Sequence, residues 1–192
     1  MQKIMFNDRY GLTDAVIDYI KNNTRRIEGG RQFQLAATAA EDFTYEEATG
    51  CIVMCCQGIE IFRHKCRYKV GEIVAVAQSY EQAYRQGNMN ADEAIIRGLK
   101  YDPGMCNKMY VRAALMPHQI RITGIRYERL QDISDEECMR EGILESWYES
   151  TDTTTYGYAD EKKGTAVEFD TPRKAFAALI DKVSGRGTWA SN

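Results

Sequence analysis

Hydrophobic positions recur along this chain at two spacings, and the switches between them mark the elements. Lys3 to Phe6 reads as a short first strand. Leu12, Val16, Tyr19 and Ile20 then fall on one helical face, with Ala15 beside them. That spacing predicts a helix near Tyr10 to Asn22. Asn22-Asn23 is its stop, because asparagine tolerates the left-handed turn. Thr24 to Ile27 runs out extended, and Glu28-Gly29-Gly30 is a loop. Phe33, Leu35 and Ala37 alternate with polar neighbours, which predicts a strand. Thr44 to Ala48 reads as a short helical turn. Cys51 to Cys56 and Ile59 to Cys66 read as strands joined around Gln57-Gly58. Ile73 to Ala77 is an apolar strand rich in β-branched residues.

The second half follows the same logic. Tyr80 to Leu99 is mostly polar and helical in propensity, and Asp102-Pro103-Gly104 ends it. Met109 to Ala113 is a candidate strand, and Gln119 to Arg126 a further one, with Gly124 marking a bulge or close approach. Ser134 is placed as an N-cap, with Glu137 three residues on as its capping-box partner. The helix they start runs to about Glu141 and stops at Gly142. Residues 144–168, with the run Ser150 to Gly157, read as a polar, flexible insertion. Thr171-Pro172 begins a last helix, threonine as cap and proline at the first position. Phe176, Ala177, Leu179, Ile180 and Val183 are its expected buried stripe, and Gly185-Arg186-Gly187 its end. No internal repeat is visible.

Composition narrows this picture. The chain has 192 residues, 44% hydrophobic and 28% charged, with only three prolines. It can bury a core, and large-scale disorder is not expected. The net charge is -3 and the pI about 5.5. Grip on a duplex through many phosphates needs a strongly basic face, so any nucleic-acid contact must be local. No run is long and apolar enough to span a membrane, and the first residues lack a secretory signal. A cytoplasmic location is the expectation. The six cysteines are expected as reduced thiols, because a chain of this size needs no disulfide staples.

Several residues invite a chemical reading and mostly yield to a plainer one. Cys51, Cys55, Cys56, His64 and Cys66 do not match paired knuckle or finger spacings, and cysteines in apolar strands commonly pack as small hydrophobes. Cys106 and Cys138 read as packing residues. We therefore expect no metal and no cofactor. Tyr80, Tyr84, Tyr101 and Tyr110 have two uses open to them: stacking surfaces for a base, or core-edge rings with the hydroxyl in water. His118 shows no partner in sequence. Asp135-Glu136-Glu137 suits the first turn of a helix, where negative charge is favourable.

Three stretches together resemble the ASCH domain, a β-barrel of the PUA-like group. They are the N-terminal strand and helix followed by Lys21, Thr24, Arg25 and Arg26; the turn and strand Arg67 to Val76; and Arg121 to Gly142 with its Leu-Gln-Asp-Ile turn and Glu-Gly ending. The ending Gly185 to Trp189 is similar to longer bacterial and phage-associated members. Tyr19-Ile20 and Asn22 depart from the usual residues around the lysine. Members also tend to continue past the tryptophan into a final apolar strand.

The resemblance implies an α+β fold: a single ASCH, PUA-like β-barrel over 1–192 with flanking helices, a helical decoration near 80–99 and the insertion near 144–168. Without the final strand the barrel keeps an open edge, which implies a homodimer or marginal stability. It further implies a cleft between barrel and N-terminal helix that binds RNA or a modified nucleotide, with Lys21, Thr24, Arg25 and Arg26 as contacts. The second expectation is an amidohydrolase acting on an acylated nucleoside such as acetylcytidine. Thr24 would be its nucleophile, Lys21 its activator and Glu141 its acid/base group, since a threonine hydroxyl needs a nearby base. The third is a non-catalytic phage or mobile-element accessory protein. A plainer use exists for the same residues: helix-end cations in solvent, with Glu141 pairing an arginine.

Overall fold

The structure is a computed structural model, and it describes residues 1–27, 30–87 and 98–191. Among these, helices and strands mix as an α+β protein, and the strands hydrogen-bond into three separate three-stranded sheets; no closed barrel forms. The chain divides into two compact units, Met1–Ile4 with Arg26–Glu128, and Met5–Arg25 with Arg129–Asn192.

The first unit holds two sheets. Strand β1 (Lys3–Ile4) runs parallel to β5 (Ile73–Val76), which pairs antiparallel with β6 (Gln119–Arg121). Val74, Ala75 and Val76 are wholly buried, so β5 reads as a continuous apolar run, as a strand covered on both faces does. The expected longer strand to Arg126 stops at Arg121, and Met109 to Ala113 forms no strand. The other sheet is the antiparallel set β2 (Asp42–Glu46), β3 (Cys51–Cys56) and β4 (Ile59–Lys65). Its tight turn is Gln57-Gly58, both at positive φ (50° and 74°), the backbone that a two-residue hairpin requires. Thr44 to Glu46 is thus strand, not the expected helical turn.

Residues expected as a strand around Phe33 form helix α2 (Arg31–Ala39) instead. Phe33, Ala36, Ala37 and Ala40 pack with Ile52 and Met54. Their spacing is helical, and the apparent alternation at Leu35 was coincidental, since Leu35 is exposed. Helix α3 (Tyr80–Arg85) is capped by the Ser79 hydroxyl, which accepts from Gln82 N. The remainder of the helix expected to Leu99 falls largely on residues 88–97, outside the described residues.

The second unit begins with a 3-10 turn (Asp8–Tyr10) and helix α1 (Leu12–Ile17). This helix is shorter than its apolar face suggested. Tyr19 turns left-handed at φ 61°, so the stop lies there rather than at Asn22-Asn23. Helix α4 (Asp135–Arg140) has the anticipated capping box between Ser134 and Glu137, and Gly142 follows it at φ 99°. Residues 144–168 are no flexible insertion. They form the antiparallel meander β7 (Leu144–Tyr148), β8 (Thr153–Asp160) and β9 (Thr165–Phe169). The threonine run that looked like loop is β-branched and suits a pleated surface. A Cβ on Gly157 would run into the Val167 carbonyl, so glycine lets β9 close on β8. Helix α5 (Pro172–Ser184) starts on the Thr171 cap and buries Ala175, Phe176, Leu179 and Ile180, whereas Val183 is exposed. The short helix α6 (Thr188–Ser191) is tied back by Asp181, whose carboxylate accepts from Gly187 N (3.1 Å) and Trp189 N (2.8 Å). Those two amides hold the Asp181 carboxyl below the usual range. Among the described residues no helix is long and apolar enough to cross a membrane.

Candidate functional site

The candidate site in the second unit grows from the way α1 ends. After the left-handed residue Tyr19, Lys21 N donates to Ala15 O (2.8 Å), which turns the chain sharply off the helix. Asn22 N and Asn23 N then both donate to the Arg140 carbonyl at 3.0 Å. That carbonyl is one of those left without an intrahelical partner at the end of α4. The segment after α1 is thereby pinned to the C-terminal end of α4.

The side chains fasten the same junction. Lys21 and Glu141 are each 4% exposed. The Lys21 ammonium donates to Glu141 Oε2 (2.5 Å) and to the Glu141 carbonyl (2.8 Å). Arg25 Nη1 donates to Glu141 Oε1 (3.1 Å), and Arg25 Nη2 to Glu137 Oε2 (3.2 Å). The Arg25 guanidinium also lies over the Phe176 ring of α5, 6.0 Å from its centroid, within reach of a cation–π attraction. Two cations and two carboxylates balance to zero. Such a set is stable in a dry setting only when every member keeps its partners. Gly142 permits the approach: its φ excludes most side chains, and a Cβ there would meet Leu12 Cδ2 at 3.2 Å.

Of the residues singled out from sequence, Lys21, Arg25 and Glu141 come together. Thr24 lies on the same segment with its side chain exposed, and Arg26 is exposed and belongs to the first unit. Sequence reasoning missed Glu137 as a partner of Arg25, because the capping box already accounted for it. Its Oε2 serves both purposes, accepting from Ser134 N at 3.1 Å as well. On α4, the Cys138 thiol is pushed up to about 11, first by burial and then by the Asp135 carboxylate.

Elsewhere the sequence candidates separate. Tyr80 is buried and its hydroxyl accepts from Arg112 N (2.9 Å), whereas Tyr84, Tyr101 and Tyr110 are exposed. All six cysteines are free thiols. Among the described residues no three His, Cys, Asp or Glu side chains come together as metal ligands would. No protein-family model, curated protein or solved structure matches the chain.

Proposed function

We propose that this chain binds RNA or a modified nucleotide at the segment Lys21 to Arg25, with Thr24 offered to the ligand and Arg25 beside it. The observation that carries this reading is the Lys21–Glu141–Arg25 cluster, largely closed off from water, on a segment whose Thr24 is exposed. A buried ion pair is seldom the most stable choice at a position, since apolar replacements often do as well. Its use here is positional: it locks an irregular segment against α4 and fixes how Asn22 and Thr24 are presented. Pre-set polar groups on a rigid base are what nucleotide recognition needs. Kinship with ASCH domains belongs to the same proposal and supplies the ligand class.

A second reading, amidohydrolysis of an acylated nucleoside, is favoured by one fact: the Lys21 ammonium, on the segment that bears Thr24, lies 2.5 Å from the Glu141 carboxylate at the end of α4. Binding ranks above it because both would-be acid/base groups are shut from water and spend their contacts on each other, whereas a general base must reach the proton it takes.

A panel of nucleosides and short RNAs, scored by mass spectrometry for retained ligand and for converted product, tests both. Retention without conversion, weakened in Thr24→Ala and Arg25→Ala, is expected. Product that disappears in Thr24→Ala would replace binding by hydrolysis. Retention of nothing would sink both readings.

A further inference from the structure

The loop from Leu99 to Arg112 in the first unit carries exposed aromatic and cationic side chains that the site above does not use. It is a built loop. Asp102 N donates to Leu99 O (2.9 Å), and the Asp102 carboxylate accepts from Gly104 N (2.8 Å). Gly104 packs so closely on buried Tyr80 that a Cβ would meet ring carbon Cε2 at 2.6 Å. From β1, the Lys3 ammonium reaches the carbonyls of Met109 (2.5 Å) and Val111 (2.8 Å). Arg112 Nη2 and Asp102 Oδ2, 3.4 Å apart, tie the two ends together.

This anchored loop presents Tyr101 at 88% exposure and Tyr110 at 58%. The Lys100 ammonium lies 5.6 Å from the Tyr101 ring centroid. Single exposed apolar residues are ordinary, but here two rings alternate with Lys100, Lys108 and Arg112 against one carboxylate, Asp102, in a chain whose net charge is -3. The local charge therefore opposes that of the whole chain and matches a polyanion. Rings held open to water contribute nothing to the core, and cations interleaved with them suit bases and phosphates in alternation.

We infer that this loop is a stacking platform for single-stranded RNA, with Tyr101 and Tyr110 receiving base faces and Lys100 and Lys108 the phosphates. The inference rests on the nucleic-acid reading above and gives it a partner class: a single strand, since paired bases offer no free faces. An acidic peptide would match the cations but not the rings.

Fluorescence anisotropy of a short labelled oligouridylate against the full chain tests it. Binding that weakens with salt is expected. Tyr101→Ala and Tyr110→Ala should each weaken it about tenfold, while Tyr101→Phe and Tyr110→Phe keep it. Lys100→Ala should reduce the salt slope by about 0.7. Both tyrosines are exposed, so these variants leave the fold in place. The platform is overturned if wild-type chain does not bind the oligomer, if the alanine variants bind it as wild type does, or if polyglutamate displaces it as readily as unlabelled RNA. Nucleoside retention that is lost in Thr24→Ala and unchanged in Tyr101→Ala would show the first site standing whatever happens to the platform.

Discussion

Arginine–glutamate clusters occur in this chain at two extremes of solvent. Lys21, Arg25, Glu137 and Glu141 meet in the second unit with the Lys21–Glu141 pair buried. In the first unit Arg63 of β4 bridges Glu46 of β2 and Glu60 of its own strand, with its side chain 36% exposed. On paper the two sets look alike. In water, each member of the exposed set can trade its partner for solvent, so the bridge is optional. In the buried set no such exchange is open, and loss of one charge strands another. The contrast explains why only the buried set can hold a segment of irregular chain in a fixed course.

The largest expected effect breaks the buried set at its centre. Glu141→Ala takes from buried Lys21 the carboxylate that neutralises it, leaving the residue 141 carbonyl as an uncharged acceptor, and removes a carboxylate from Arg25, so it should destabilise the chain by about 3–5 kcal/mol. Urea unfolding followed by circular dichroism measures this. Replacing both partners, Lys21→Met with Glu141→Leu, should recover most of the loss, because apolar groups of similar volume need no partner and the Arg25–Glu137 bridge survives. If the double variant remained as unstable as Glu141→Ala, the cluster's role would be stability rather than position. A folded double variant that no longer retains nucleotide would instead tie the pair to presenting Thr24.

A smaller effect should follow from the backbone that brings Glu141 to Lys21. Gly142→Ala places a Cβ at a left-handed φ of 99° and 3.2 Å from Leu12 Cδ2, a change expected to lower stability by about 1–3 kcal/mol. The same denaturation experiment reads it. A loss confined to Gly142→Ala, absent from Gly58→Ala at the open hairpin turn where a Cβ meets nothing within 4 Å, would show that close packing contributes; equal losses would assign the effect to backbone conformation alone.

What could be read in advance divides by range. Signals confined to a few residues were legible: the Ser134–Glu137 capping box, the Gly142 stop, the Gln57-Gly58 turn and the Thr171-Pro172 start all arise from local hydrogen bonds or φ preferences. Helix α2 was not, because alanines carry its buried face and a lone exposed Leu35 imitates strand alternation. The β7–β9 meander was hidden by threonine and glycine, which serve loops and strands alike. At the candidate site, Lys21 and Glu141 are far apart in sequence, and no spacing rule joins them; the family resemblance implied only that both face one cleft, and the plainer reading paired Glu141 with an arginine rather than with Lys21. Arg25's second partner, Glu137, was masked by its capping role. Among the tyrosines nothing local distinguishes buried Tyr80 from exposed Tyr101, since what decides is whether Gly104 and Arg112 come to meet the ring.

The smallest expected effect tests the exposed half of the comparison. Arg63 donates to Glu60 and Glu46, and both carboxyls are held below the usual glutamate range: Glu60 chiefly by Arg63, Glu46 first by the Thr49 hydroxyl and then by Arg63. A lowered folded value means that the carboxylates' contribution is present above the ordinary glutamate pKa, about 4.3. It is lost as pH falls through the lowered values. Arg63→Ala should therefore shift the urea midpoint only slightly at neutral pH, and less still in acid, where the carboxylates of both proteins are protonated. Concentrated salt should shrink the difference further, because the screening length falls to about 3 Å near molar ionic strength. In an NMR titration the Glu60 carboxyl should return to the ordinary range in the variant, while Glu46 moves less because Thr49 still donates to it. A loss for Arg63→Ala as large as that for Glu141→Ala, and indifferent to salt, would break the comparison, for it would mean that solvent does not replace the partners of the exposed set.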